Sequence, residues 1–237
     1  MSTAMGQPGG ACGLFGKVPA RRDFVAAGIP QSVLGPWESW LQREMAQSRV
    51  LIDRAWVAAF LRAPIWRFWC GSRVLGRAAL GVLMPSVDGV GRYFPLTLLA
   101  VAPEGHGFPP VAALLEAPFL VALEDLALAA LAPEARYEDL RAALDGLAPP
   151  LEPAPAAERR GVYVSAALGE GTDARFADAA EALADWRAAR SGAGHSVWWT
   201  LGGGGFAARM LAVEGLPDGP LFATMLNGAF EAGAEAS

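Results

Sequence analysis

Glycine and proline set the limits on what this sequence can fold into. Between Pro64 and Pro103 they divide the apolar sequence into the short runs Ile65–Cys70, Ala78–Met84 and Tyr93–Val101, with Gly71, Gly81, Gly89 and Gly91 near their ends. Short apolar runs bounded by turn formers read as β-strands rather than helices. On either side the periodicity changes. Trp37, Trp40, Leu41 and Met45 recur at the three-to-four spacing of one helix face, which predicts a helix from about Val33 to Arg49. A second helix is expected from the N-cap candidate Asp53, carrying Trp56, Ala59 and Phe60 inward until Pro64 stops it. Helices are also expected over Val111–Leu131 and over Pro133–Leu147, the latter with proline in its first turn.

The stretch Ala148–Glu158 is so rich in proline and alanine that it reads as an extended surface connection, neither helical nor paired. Beyond it, Gly161–Leu168 alternates like a strand, and Asp173 can cap a helix carrying Phe176, Ala180, Leu183 and Trp186. Ser196–Leu201 and Phe206–Val213 flank Gly202–Gly205 as a hairpin, and a last helix is expected around Leu221–Phe230. Five tryptophans, Trp37, Trp40, Trp56, Trp66 and Trp69, lie at core spacings. Trp198 and Trp199, neighbours on a strand, must point to opposite faces, so one of them could lie outside the core. The expectation is an α/β chain: tails at 1–11 and 231–237 around one domain, 12–230, made of 12–147, the connection 148–160 and 161–230.

Composition excludes several function classes. With 53% hydrophobic residues and a net charge of −5, the chain is neither disordered nor equipped with the overall basic footprint that duplex binding requires. Cys12 and Cys70 give no disulfide framework, which favours a reducing compartment. Met1–Gly10 lacks an apolar signal core, and Val111–Ala132 is interrupted by Glu116, Pro118, Glu124 and Asp125, so a cytoplasmic protein without membrane insertion is expected.

Enzyme templates fail residue by residue. His106, His195, Cys12 and Cys70 show no metal-ligand spacing, so no metal or other cofactor is expected. The segment Gly10–Val18 has Ala11 and Val18 where a phosphate loop needs glycine and a hydroxyl residue. Ser86 follows a strand and could act as a nucleophile with His195 or His106, making a serine hydrolase the alternative function. It lacks a G-x-S-x-G elbow, and a turn stabilised by Ser86 and Asp88 is the plainer reading. What survives is charge set among glycines and prolines: Lys17, Arg21 and Asp23 in one segment, Ser86, Asp88 and Arg92 in another. These residues either tie two loops together by ion pairs or present a polar recognition surface on rigid loops.

Several blocks carry a resemblance. Gly16-Lys-Val-Pro-Ala-Arg-Arg-Asp-Phe24, Pro36-Trp37-x-x-Trp40-Leu41, Ala63-Pro-Ile-Trp-Arg-Phe68 and Gly81-Val-Leu-Met-Pro-Ser-Val-Asp88-x-Val90-Gly-Arg-Tyr-Phe-Pro-Leu96 are similar, in this order, to blocks of the TagF family of type VI secretion system-associated proteins. Ser196–Thr200 and Glu214–Pro217 resemble its C-terminal blocks. Arg22 stands where the family pattern leads one to expect a small residue such as glycine, which puts a tighter turn there in doubt. The resemblance implies a non-enzymatic, post-translational repressor of type VI secretion in Gram-negative bacteria. Its implied partner is the forkhead-associated scaffold protein of that system. It also implies a central, mostly antiparallel sheet between helices, an α-β-α sandwich of longin-like kind.

Overall fold

A computed structural model describes residues 11–132, 134–153, 164–167 and 192–230. The strands are β1 (Ala11–Gly16), β2 (Val25–Ala27), β3 (Trp66–Cys70), β4 (Ala79–Met84), β5 (Leu96–Val101), β6 (His106–Gly107), β7 (Glu152–Pro153), β8 (Val164–Ala167), β9 (His195–Thr200) and β10 (Arg209–Glu214). The helices are α1 (Gln31–Ile52), α2 (Trp56–Arg62), α3 (Pro118–Ala129), α4 (Tyr137–Asp145) and α5 (Gly219–Asn227). Eight strands form one open antiparallel sheet in the order β2-β1-β5-β4-β3-β9-β10-β8.

Helices cover both faces of the sheet. On one side α1, α2 and α5 bury Trp37, Trp40, Phe60 and Phe222 against Trp66, Phe68, Leu99 and Trp198. On the other, α3 and α4 bury Leu120, Leu123, Leu140 and Leu144 against Leu80, Val82, Leu98 and Trp199. Side chains alternate between the layers, so a sheet covered on both sides consists of continuously apolar strands. The expected α-β-α sandwich is therefore present. Trp198 and Trp199 do point to opposite faces, but each is fully buried, because helices roof both. The indole N–H groups of the α1 layer also tie elements together. Trp37 donates to Thr97 Oγ1 (3.0 Å), Trp40 to the Pro217 carbonyl (2.7 Å) and Trp66 to that of Met225 (3.1 Å).

Four local expectations change. Asp53 is not an N-cap of α2: with φ 52° it closes α1 as its C-cap, its N–H donating to the Arg49 carbonyl, and opens a short 3-10 turn before α2 starts at Trp56. The run Val111–Leu131 divides at Pro118, whose missing N–H is harmless only in a first turn, leaving a 3-10 turn at Val111–Ala113 before α3. Helix α4 begins at Tyr137, so Pro133 precedes it instead of lying in its first turn. Within the supposedly unpaired connection, Glu152–Pro153 pairs with His106–Gly107. Two residues at an edge tolerate a proline that a longer ladder would not. The rest of that connection from 154 onward, and the helix expected from Asp173, lie outside the described residues.

Candidate functional site

The two charged segments meet at one end of the sheet. The β1–β5 and β5–β4 pairings set Gly16 opposite Leu96 and Leu96 opposite Met84, so the chain leaving β1 and the chain leaving β4 emerge side by side. There the loops interlock through backbone: Gly89 N–H donates to the Arg21 carbonyl (2.9 Å). A Cβ at Gly89 would lie 2.9 Å from the Pro19 carbonyl oxygen, so a residue without one permits the approach.

Asp88 is the hub. Its carboxylate accepts from Lys17 Nζ at 2.5 Å, Arg92 Nε at 2.6 Å, and the backbone N–H groups of Arg92 (2.9 Å) and Val90 (3.0 Å). Both Asp88 and Lys17 are buried, at 3% and 4% exposure. Burial alone would raise the Asp88 carboxyl. The Lys17 ammonium, then the Arg92 backbone and side chain and the Val90 amide, outweigh it and hold the group far below the usual carboxylate range. Arg92 also donates through Nη2 to the Arg22 carbonyl and lies 3.8 Å from Asp23. Arg22 has no positive φ, so this conformation does not call for glycine there.

The six residues singled out in sequence thus divide into two groups. Lys17, Asp88 and Ser86 are interior. Ser86 is 3% exposed, and its Oγ has no hydrogen-bond partner among the described residues. Arg21, Asp23 and Arg92 are exposed, in company with Arg22, Phe24 and Val90. Phe24 stands 48% exposed, yet its ring is held 4.7 Å from that of Phe94 and 6.0 Å from that of Phe15. Arg21 pairs with Glu138 of α4 at 2.5 Å and lies over the Tyr137 ring. Phe24 and Val90 were not singled out. Their signal is an apolar residue beside charges in a loop, which has no periodicity to mark it.

Neither histidine is near Ser86. Ala79, at the start of β4, pairs with Cys70 and Val101, and Cys70 pairs with Ser196, so His195 and the chain leading to His106 belong to that end. Ser86 lies past Met84 at the opposite end. The length of β4 alone, about 17 Å at the usual strand rise, separates them. Cys12 and Cys70 are buried thiols, and burial pushes Cys12 up to about 11 and Cys70 further. Among the described residues no cluster of three His, Cys, Asp or Glu side chains forms, and no helix is long and apolar enough to cross a membrane.

Comparison with known proteins gives two findings. The sequence matches the family model for the TagF N-terminal domain, described as type VI secretion system-associated, over residues 13–147. The crystal structure of PA0076 from Pseudomonas aeruginosa is similar, with a TM-score of 0.72 and 32% sequence identity, covering 96% of this chain and 99% of that one. No curated protein sequence matches significantly.

Proposed function

The chain belongs to the TagF family of type VI secretion system-associated proteins, and on that premise we propose that it is a non-enzymatic, cytoplasmic repressor of type VI secretion. It acts by binding a component of the apparatus such as the forkhead-associated scaffold protein. The observation that carries the reading is the division of the paired loops into a buried clasp and an exposed rim. Lys17 and Asp88 fix the loops from within, and Arg21, Arg22, Phe24, Val90 and Arg92 project from that fixed base. Binding surfaces favour this arrangement, since side chains on a rigid support lose less entropy on contact.

The test is a pull-down with the scaffold protein, comparing wild type with Arg22→Ala, Phe24→Ala and Arg92→Ala. Each variant is first checked for an unchanged circular dichroism spectrum. The rim assignment expects at least one to weaken binding about tenfold, as a contact residue near the centre of an interface does. Undiminished binding by all three folded variants removes this rim from the interface. The role is tested separately: deleting the gene should raise secretion, and unchanged secretion under inducing and repressing conditions alike would refute repression.

A further inference from the structure

A cleft of about 290 Å3 opens far from the paired loops, between the end of α2, the β9–β10 hairpin and the end of α5. Two guanidiniums line it, Arg62 and Arg209, and among the described residues no carboxylate does. In a chain of net charge −5 that pairing of like charges stands out. Among the described residues the Arg62 side chain spends only its Nε, on the Ala58 carbonyl at 3.2 Å, and its terminal nitrogens make no hydrogen bond there. Arg209 is half-buried at the start of β10, stacked 4.1 Å over the Phe230 ring, and its side chain makes no ion pair or hydrogen bond among the described residues. Burial lowers its affinity for the proton, a cost that a bound anion would offset.

The hairpin supplies a bare wall. Gly203 and Phe206 exchange reciprocal hydrogen bonds of 3.0 Å, and Gly204 and Gly205 between them have φ of 60° and 94°, the signs a type I′ turn needs. A Cβ on either would meet nothing within 4 Å, so space is open beside them. Gly204 and Gly205, whose amides make no hydrogen bond within the described residues, line the cleft with the guanidiniums.

We propose that this cleft binds a small phosphorylated ligand, its phosphoryl group held between Arg62 and Arg209 and the remainder placed against Phe206 and Phe230. A guanidinium presents paired N–H donors that match phosphoryl oxygens, and two of them balance a dianion. The volume admits a phosphate with a small planar body and little more.

Isothermal titration of the full chain with inorganic phosphate, phenyl phosphate and phenol at constant ionic strength tests this. Phenyl phosphate should bind saturably and more tightly than inorganic phosphate, and phenol should not bind. Arg62→Gln and Arg209→Gln should each weaken phenyl phosphate about tenfold, the scale of a lost charge-assisted contact, and Arg209→Lys should restore part of it. Arg54→Gln, in the turn before α2 and outside the cleft, serves as the control and should leave binding unchanged. No saturable binding of phenyl phosphate by the full chain, or losses in the cleft variants no larger than in Arg54→Gln, would overturn the proposal. Thermal melting of each variant confirms that it is folded before titration.

Discussion

Asp88 illustrates how a carboxylate can be interior and still ionised. Four donors converge on it, two of them cationic, and they compensate for the water it has lost. The carboxyl is depressed in the folded chain, so it contributes stability above its unfolded pKa of about 3.9 and loses that contribution as pH falls through the folded value. Asp88→Asn should therefore melt lower than wild type at pH 7, by on the order of 10 °C, with the gap narrowing below about pH 4. Melts followed by circular dichroism across that range check it, and a gap that is constant with pH would mean the carboxylate is not the source. The charges at 17–23 and 86–92 stand out in the sequence because so few others surround them. Their partners do not. Lys17 finds Asp88 across 71 positions only because the β1–β5–β4 register brings two strand ends together.

At the scale of elements, helices were legible where a side-chain period repeats several times, and strands where turn formers bound a short apolar run. Helix α1 and strands β3, β4, β9 and β10 lie close to where spacing places them. The departures, such as the Glu152–Pro153 pairing with His106–Gly107, depend on a remote segment that carries no local period. Gly81, expected near the end of its run, sits inside β4. A Cβ there would come 2.3 Å from the Leu98 carbonyl oxygen and 2.7 Å from Leu99 Cβ on the adjacent strand. Gly81→Ala should thus force β4 and β5 apart and cost about 1–3 kcal/mol, like other overpacked core sites. Chemical denaturation measures it, and a change below about 0.5 kcal/mol would show that the strands separate cheaply.

Across the whole molecule, the sheet and its α3 roof are pinned by one ion pair. Arg67, 3% exposed in β3, donates Nε and Nη2 to the two oxygens of Glu124 (2.8 and 2.7 Å) and Nη1 to the Leu115 carbonyl (2.6 Å). Removing Arg67 leaves the Glu124 carboxylate, 18% exposed, without its partner, so Arg67→Met should cost about 3 kcal/mol, the low end for a broken buried pair. The double variant Arg67→Met with Glu124→Leu should recover much of that loss, because two apolar groups leave no charge behind. Equal losses in single and double variants would contradict the pairing as the source. The sequence marked Arg67 only as part of a strand, since nothing in its neighbourhood tells which layer a buried arginine will face. The clasp beneath the paired loops has one more consequence, in the chemistry open to the folded surface. Lys17 is the sole lysine of the sequence, and it is buried against Asp88. Amine-directed cross-linkers and acylating reagents therefore find no exposed lysine on the native fold, and slow modification of Lys17 becomes a clock for the opening of its own loops.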